Sequence, residues 1–358
     1  MSTWPDTRIL DLFGIALPIL QAPMAGPCWH EMAIAVGQTG GLGALPCAML
    51  SEAQIRAEVA QVRQASEAPL NLNFFCHTAP APDAERDAAW RAALRPYYLE
   101  AGLDPDMPVP ASVRHPFDAT TCALVEALRP EVVSFHFGLP APDLLARVKA
   151  MGAKVISSAT TVDEAVWLEE RGVDAVIAMG FEAGGHRGVF LRDEVYSQLG
   201  TFALVPQVVD AVRVPVIAAG GIADGRGVAA AFVLGASAVQ VGTAFLHTPE
   251  ARLPAVHRAA LSGPMARQTA LTNLFTGRPA RGIVNRLMRE LGPLSSAAPA
   301  FPSAGGALTP LKTATEGGEH AGDFVSLWAG QAAPLGRAMS ASELTGALAE
   351  DALALLQR

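Results

Sequence analysis

The sequence is poor in cysteine, tyrosine and positive charge. Its 358 residues include four cysteines and three tyrosines, and 26 Lys and Arg face 34 Asp and Glu, which gives a formal net charge of −8. The cysteines have no CxxC spacing, which argues against a zinc site or a disulfide framework. The negative charge, without any basic patch interleaved with aromatic residues, argues against nucleic acid as a partner.

Long apolar runs are also missing. No uninterrupted apolar stretch reaches the ~20 residues that a membrane span needs. The first residues, MSTWPDTRILDLFG, lack the basic start and following apolar run of a signal peptide. We therefore expect no membrane association and a cytoplasmic location. No His, Asp and Glu cluster has metal-ligand spacing, so we expect no metal site.

Short apolar runs alternate with alanine-rich amphipathic stretches through the first two thirds of the chain. The predicted strands are Pro18–Gln21, Gly43–Leu45, Leu70–Phe75, Val132–Phe137, Lys154–Ser157, Ala175–Met179, Val214–Ala218 and Ala238–Val241. Eight apolar strands separated by helices predict a parallel sheet covered on both faces. Eight units in about 245 residues match a (β/α)8 barrel, a TIM barrel of the α/β class. The alternative, an open doubly wound sheet, would need an early Gly-x-Gly-x-x-Gly turn, which is missing.

The barrel pattern ends near Leu246. We predict a barrel over residues 1–246 and a mostly helical C-terminal region over residues 247–358. In that region Arg281–Leu291 and Ser342–Leu356 have helical patterns. Between them, Pro293–Glu319 is rich in Pro, Gly, Ala and Ser, and we predict a long loop that covers the barrel mouth. Residues 83–118 form a further extension after the third strand.

The segment AMGFEAGGHRG, residues 178–188, is the most informative stretch of the chain. Gly184 and Gly185 have no Cβ and allow the backbone to approach a ligand closely. His186 follows the carboxyl end of a strand, where α/β enzymes place their chemistry. A neutral imidazole there can take a proton near pH 7. The alternative is a plain glycine-rich turn with a surface histidine.

Other strand ends carry polar or small residues that face the same mouth. Ala22, Pro23 and Met24 follow the first strand and expose backbone suited to a planar ring. Asn71 and Asn73 alternate in the third strand, so they point the same way. A buried amide without a partner costs ~1–3 kcal/mol, so a polar ligand, a water or a loop carbonyl must meet them. His136 ends the fourth strand and would face the same mouth.

Two glycine turns follow the last two predicted strands. Gly220 and Gly221 lie in the first turn, and the second is the segment Gln240, Val241, Gly242 and Thr243. Barrels commonly bind a phosphate at this place through backbone N–H groups and a short helix start. A phosphate here, together with the backbone at strand one and the amides at strand three, fits a flat phosphorylated cofactor such as FMN. The barrel strand ends have no lysine suited to a Schiff base, which argues against an aldolase.

The ordered set PILQAPMAG, NLNFF, SFHFG, GFEAGGHRG, VPVIAAGGIADG and QVGTAFL resembles the nitronate monooxygenase family, and SLWAGQ (326–331) resembles its class I branch. The resemblance implies an FMN-binding barrel with a helical substrate domain. It implies that Ala22, Pro23 and Met24 lie against the flavin, that Asn73 hydrogen-bonds it, and that Gly184 and Gly185 lie beside the ring. The phosphate would be held by Gly220, Gly221, Gln240, Val241, Gly242 and Thr243. Met179 stands where the family often has glutamine.

The family resemblance also implies an activity, the oxidative denitrification of alkyl nitronates with O2 to a carbonyl compound and nitrite. His186 would be the catalytic base, and His136 and Lys312 would contact the substrate, Lys312 from the covering loop. Propionate 3-nitronate is the substrate expected for the family. NAD(P)H-dependent flavin reductases of the same barrel, a non-redox phosphate-binding isomerase or lyase, and a non-catalytic binder remain alternatives. The sequence leaves the oligomeric state open.

Overall fold

A computed structural model describes residues 4–111, 114–192 and 194–358. The first three residues of the stretch examined for a signal peptide, and Ser112 and Val113 in the extension after the third strand, lie outside that description. The described strands are β1 (Ile19–Gln21), β2 (Gly43–Pro46), β3 (Leu70–Phe75), β4 (Val132–His136), β5 (Lys154–Ala159), β6 (Ala175–Met179), β7 (Gly185–His186), β8 (Val216–Ala219), β9 (Ala238–Val241), β10 (Thr269–Thr272) and β11 (Ala280–Ile283).

Among the described elements, helices separate β1 to β6, β8 and β9 from one another, with two helices between β3 and β4, and β7 follows β6 without a helix between them. The described helices are α1 (Arg8–Phe13), α2 (His30–Gln38), α3 (Glu52–Ala65), α4 (Ala84–Glu100), α5 (Ala119–Leu128), α6 (Pro142–Ala150), α7 (Val162–Glu170), α8 (Thr201–Ala211), α9 (Gly225–Val233), α10 (Ala255–Ser262), α11 (Arg286–Leu291), α12 (Thr309–Thr315) and α13 (Ala341–Leu356). Short 3₁₀ helices lie at Cys47–Met49, Thr243–His247, Pro264–Arg267, Ser303–Leu308 and Ala333–Leu335. In the part of the chain that is described, no helix is both long and apolar enough to cross a bilayer.

Eight strands form a parallel barrel in the order β1-β9-β8-β6-β5-β4-β3-β2, and a bridge between Leu20 and Leu42 joins the two ends. The predicted (β/α)8 barrel is confirmed. Inward-facing side chains such as Val132, Ile156 and Ile217 fill the barrel and contact Ile9 and Phe13, from α1. Because this apolar cluster closes the amino-terminal end of the barrel, a ligand can enter only at the carboxyl ends of the strands.

A second, smaller core lies over the barrel mouth. Its side chains come from α4 and from residues 274–324, including Trp90, Leu94, Leu287 and Leu311. The Trp90 indole N–H donates to the Ala304 carbonyl at 3.1 Å, and the Tyr98 hydroxyl donates to the Ala307 carbonyl at 2.5 Å. The extension after β3 therefore packs with the C-terminal region to form one cover.

Two predictions for the C-terminal region were wrong. Arg281–Leu291 was predicted as one helix, but its start belongs to β11 and the helix begins at Arg286. The start of this segment forms strand β11 because it pairs antiparallel with both β10 and β7. The segment around Lys312 was predicted as a loop, but it forms α12, which has a proline in its first turn, where a missing N–H is tolerated.

Helix α13 begins at Ser340, whose side chain and that of Glu343 form a capping box. It packs on α9 and α2 in the helical layer of the barrel. Ser342 Oγ donates to the Ala35 carbonyl of α2 at 3.1 Å, across 307 residues of sequence. The domain boundary at residue 246 stays a prediction. Helix α13 follows it in the chain but packs on the barrel helices, and α4 precedes it but packs in the cover.

Candidate active site

A cavity of about 590 Å³ opens at the carboxyl ends of the barrel strands, beneath the cover. Its volume lies in the range of small-molecule and cofactor sites. Most residues predicted for the site line it: Ala22, Pro23, Met24, Asn73, His136, Met179, Gly184, Gly185, His186, Gly220, Gly221, Gln240, Gly242, Thr243 and Lys312. The barrel topology thus brings residues from almost the whole chain to one cavity.

Val241 is the predicted residue that does not line the cavity. Side chains alternate along a strand, so when Gln240 faces the cavity, Val241 faces the opposite way. The Val241 side chain is fully buried in the core between the barrel and its helices. Its carbonyl accepts the N–H of Ala22 at 2.8 Å. Any contribution of Val241 to a ligand is therefore limited to fixing the β1 and β9 ends.

The two glycine turns form one end of the cavity. Gly220 has φ of +103° and Gly221 φ of +73°, left-handed conformations that glycine adopts without strain. A Cβ on Gly220 would lie 3.1 Å from the Ala183 nitrogen and the Gly180 oxygen. Gln240 Oε1 is buried and has no hydrogen-bond partner within the described residues. A cradle of small residues with an unsatisfied polar atom fits the phosphate and polar tail of a nucleotide cofactor.

The two asparagines of β3, Asn71 and Asn73, lie in different environments. Asn73 Nδ2 donates to the Ser134 hydroxyl at 3.0 Å and to the Ser134 carbonyl at 3.2 Å, on neighbouring β4. Asn73 lines the cavity. Asn71 does not line it, and its Oδ1 is buried without a partner in the portion of the chain described. The protein itself thus fixes the rotamer of Asn73, the residue predicted to meet the flavin.

His186 lies in the two-residue strand β7, which pairs with β11 under the cover. His186 Nε2 lies 2.9 Å from the Thr276 hydroxyl. Four aromatic rings surround the imidazole, with centroid distances of 6.3 Å to Phe75, 6.1 Å to Phe137, 5.4 Å to Phe301 and 5.6 Å to Trp328. The imidazole is therefore held among apolar rings.

His136 uses both ring nitrogens inside the protein. Nε2 lies 3.2 Å from the His186 carbonyl, and Nδ1 lies 2.7 Å from the Ser158 hydroxyl. A carbonyl can only accept, so Nε2 carries the proton and, in the neutral ring, Nδ1 accepts from Ser158. His136 thereby supports the backbone of His186. The geometry favours this supporting role over the substrate contact predicted for it.

Both imidazoles are held neutral. Burial lowers the pKa of His136 to about 3, and the nearby Arg278 charge adds to the effect. Burial likewise places the pKa of His186 well below its usual 6.5, with a further contribution from Arg114. A neutral imidazole can accept a proton, so the lowered pKa keeps His186 competent as a base at neutral and mildly acidic pH.

The cavity wall is positively charged. Arg114, Arg252 and Lys312 line it, and no Asp or Glu is found in the lining formed by the described residues. Burial lowers the pKa of Arg114 and of Lys312, and the two charges oppose each other. The Arg114 guanidinium lies 5.5 Å from the Phe301 ring, which itself contacts His186. Two cations and a neutral imidazole in one cavity favour an anionic ligand.

Arg114 and Thr276 were missed by the sequence reasoning. Arg114 lies in the extension after β3 and Thr276 in the turn after β10, both outside the strand–helix repeat that marked the other site residues. No spacing in the sequence identifies either, because only the packing of the cover on the barrel brings Arg114 to the cavity and Thr276 to His186. In the described ranges, no three His, Cys, Asp or Glu side chains lie together in a way that could hold a metal ion.

Comparison with known sequences matches the whole chain to one family. A sequence model described as nitronate monooxygenase matches residues 6–351. A nitronate monooxygenase of Pseudomonas aeruginosa is 42% identical over 351 residues, covering 96% of this chain and 98% of that protein. A nitronate monooxygenase of Paraburkholderia phytofirmans is 41% identical over 344 residues, covering 95% and 93%.

Solved structures agree with the sequence comparison. A nitroalkane oxidase from Streptomyces ansochromogenes superposes with a TM-score of 0.87 at 36% identity, covering 97% of this chain and 98% of that one. FabK from Thermotoga maritima superposes with a TM-score of 0.71 at 26% identity, covering 98% and 97%. The predicted family resemblance is confirmed.

Proposed function

The chain belongs to the nitronate monooxygenase family, and on that basis we propose that it is an FMN-dependent oxidoreductase that converts alkyl nitronates and nitroalkanes with O2 into a carbonyl compound and nitrite. The observation that carries the proposal is a neutral, half-buried histidine in a cavity that two half-buried cations, Arg114 and Lys312, also line, and whose described lining contains no carboxylate. That arrangement can remove a proton from carbon and hold the resulting anion.

The residues that would hold FMN come from the barrel. Gly220, Gly221, Gln240, Gly242 and Thr243 would hold the phosphate and ribityl chain. The ring would lie between the backbone of residues 22–24 and that of Gly184 and Gly185, with Asn73 as a polar partner. When bound, FMN would supply the redox chemistry of the reaction, both toward the nitronate and toward dioxygen. The unsatisfied Gln240 Oε1 and the left-handed glycine turn at residues 220 and 221, both in the cavity lining, support this assignment.

The protein's own part is proton transfer and binding. A nitroalkane placed near His186 loses its α-proton to a free nitrogen of the neutral ring. The negative charge that develops on the nitro oxygens is stabilised by Arg114 and Lys312, which are desolvated and therefore act strongly. The ring cluster of Phe75, Phe137 and Phe301 excludes water. A nitronate that is already formed has no α-proton to lose to His186, so for this substrate the protein's own residues contribute binding and not proton transfer.

The visible spectrum of the purified protein tests the proposal directly. We expect flavin absorption, which decreases when an alkyl nitronate is added without oxygen and stays unchanged when NADH is added. Bleaching by NADH instead would favour a reductase like FabK, one of the structural relatives. A colourless protein that cannot take up FMN would contradict the cofactor assignment and favour a non-redox enzyme.

The lowered pKa of His186 predicts an unusual pH profile. The base is inactive only when protonated, and its pKa lies well below 6.5. The kcat/KM for freshly dissolved, neutral nitroalkane should therefore stay level as the pH falls through 6.5 and decline only at lower pH. Initial rates of nitrite release across pH 5–8 measure this pH dependence. As a control for stability, enzyme held at each pH is returned to neutral pH and its activity is measured again. A half-maximal rate near pH 6.5 would contradict the assigned environment.

Removing a cation should weaken binding of anionic substrates. We expect Arg114→Met and Lys312→Met each to raise KM for propionate 3-nitronate about 10- to 100-fold, because a hydrogen bond to a charged group contributes about 1.5–3 kcal/mol. Propionate 3-nitronate carries a carboxylate as well as the nitronate group, and the KM of an alkyl nitronate without a carboxylate should rise less. Lys154→Met, at the start of β5 and outside the cavity lining, is the matched charge control. Equal effects of all three substitutions would argue against a specific anion site.

A further inference from the structure

Three successive backbone carbonyls at the end of β6 accept hydrogen bonds from two arginines. Arg187 Nη2 donates to the Met179 carbonyl at 2.8 Å, and Arg187 Nη1 donates to the Gly180 carbonyl at 2.6 Å. Arg281 donates to the next carbonyl, that of Phe181, through Nε at 3.1 Å and Nη2 at 2.9 Å. We refer to these two side chains as the arginine clamp.

Both clamp arginines are deeply buried, and neither lines the cavity. Arg187 is 0% exposed and Arg281 is 3% exposed. The two guanidinium groups therefore contact the 179–185 segment from outside the cavity. Met179, Gly184 and Gly185 of the same segment do line the cavity. The clamp thus holds the back of the wall whose front is proposed to face the flavin.

Burying a guanidinium charge is unfavourable unless hydrogen bonds and an opposite charge offset the lost hydration. For Arg187 the opposite charge is reached through a chain of hydrogen bonds. Arg187 Nε donates to Gln198 Oε1 at 2.6 Å, and Gln198 Nε2 lies 3.1 Å from Thr160 Oγ1. Thr160 Oγ1 in turn donates to Glu164 Oε2 at 2.7 Å. Glu164 is 1% exposed. Two neutral side chains therefore link a buried cation to a buried anion.

The clamp also reaches the residue proposed as the base. Arg187 directly follows His186 in the chain, and its own N–H donates to the Pro279 carbonyl at 2.9 Å. Arg281 lies opposite Gly185 in the β11–β7 register. One arginine thus joins the start of the 179–185 segment to its end, and the other joins its middle to β11.

We propose that Arg187 and Arg281 are positioning residues that hold the 179–185 wall of the cofactor site and the strand of His186 in one fixed geometry. The inference rests on the proposed function for its catalytic meaning. A guanidinium is suited to this task, because its planar fork presents several donors at fixed angles, whereas an ammonium is a single point charge. A shift of about 1 Å in a catalytic group can cost about 10²-fold in rate.

The test compares Arg187→Met, Arg187→Lys and Arg281→Met with the unchanged FMN-loaded protein. Amide hydrogen exchange of residues 179–186 should rise at least tenfold in the Met variants, while exchange in β2, β3 and β4 stays unchanged. The kcat for a neutral nitroalkane should fall about 10²-fold, with a much smaller change in KM for a preformed nitronate. Arg187→Lys keeps the charge but not the fork, so it should show an intermediate loss.

Arg63→Met is the matched control. Arg63 also binds a backbone carbonyl, that of Ala68, and a carboxylate, that of Glu131, but it does not line or support the cavity. It should change neither the exchange of residues 179–186 nor kcat. Unchanged exchange and kcat in the clamp variants would overturn the proposal, and so would a uniform rise in exchange over the whole barrel.

The Lys variant decides the matter if a Met variant fails to fold. A soluble Arg187→Lys protein with unchanged exchange and kcat would overturn the inference. Failure of the proposed function would look different, since unmodified protein would then not turn over nitronate at all. The exchange measurement would still report whether the two arginines hold the 179–185 segment, because it does not depend on activity.

Discussion

His186→Asn is expected to lower the turnover of a neutral nitroalkane by about 10²- to 10⁴-fold, the usual contribution of a positioned general base. The asparagine amide is a neutral polar group that cannot take a proton, and it is too short to replace the contact that His186 Nε2 makes with the Thr276 hydroxyl at 2.9 Å. The pocket of aromatic rings would keep water from replacing the base. The measurement is the initial rate of nitrite release, with flavin content determined for each preparation.

A preformed nitronate provides the contrast within the same variant. Because the nitronate has already lost its α-proton, His186→Asn should slow its turnover less than about tenfold, by loss of packing and polarity alone. His320→Asn is a suitable control, since His320 is exposed and pairs with Asp323 away from the cavity. Unchanged nitroalkane turnover would exclude His186 as the base. Equal losses with both substrates would assign it to binding.

Gly184→Ala is expected to weaken flavin binding. A Cβ on Gly184 would lie 2.5 Å from the Gly330 nitrogen and 2.6 Å from the Ala329 carbonyl carbon, distances that require backbone movement. The Gly330 N–H donates to Thr243 Oγ1 at 2.9 Å, so the movement would also disturb the phosphate end. Overpacking of this kind typically costs 1–3 kcal/mol. We expect FMN affinity to fall at least tenfold, as measured by fluorescence titration of the apoprotein.

Gly346→Ala gives the matched control for a glycine replacement. Gly346 lies within α13, and a Cβ there meets no atom within 4 Å. Alanine is favoured over glycine by up to about 1 kcal/mol inside a helix, so the variant should be at least as stable as the unchanged protein. Its FMN affinity should be the same. Normal FMN affinity in Gly184→Ala would show that the segment 329–330 moves freely, against the packing described.

The barrel could be predicted because its signal is local. Three predicted strands, Leu70–Phe75, Ala175–Met179 and Ala238–Val241, have the observed bounds. Each is a short buried run that hydrophobic patterning detects without knowledge of its partners. The strands of the cover were not predicted. β7 is two residues long, and β10 and β11 are strands only because they pair with each other and with β7.

The site was predictable to the same extent as the barrel. His186, Asn73 and the glycine turns follow barrel strands, and the carboxyl ends of parallel strands meet at one mouth. Arg114 was not predicted, and Lys312 was predicted only through the family resemblance, because both belong to the cover and only tertiary packing brings them to the cavity. The helical conformation around Lys312 had one signal, Pro310 after Thr309, which fits a helix start. The roles of Arg187 and Arg281 depend on side-chain contacts that no local pattern encodes.

The packing of α13 has a consequence for how the protein is made. This helix covers apolar side chains of α2 and α9, and its contact with α2 spans 307 residues. Contacts between such distant residues form late, and folding slows as their share grows. A nascent chain still on the ribosome would expose these two helix faces until α13 emerges. During biosynthesis such exposed surfaces are targets for chaperones and for aggregation.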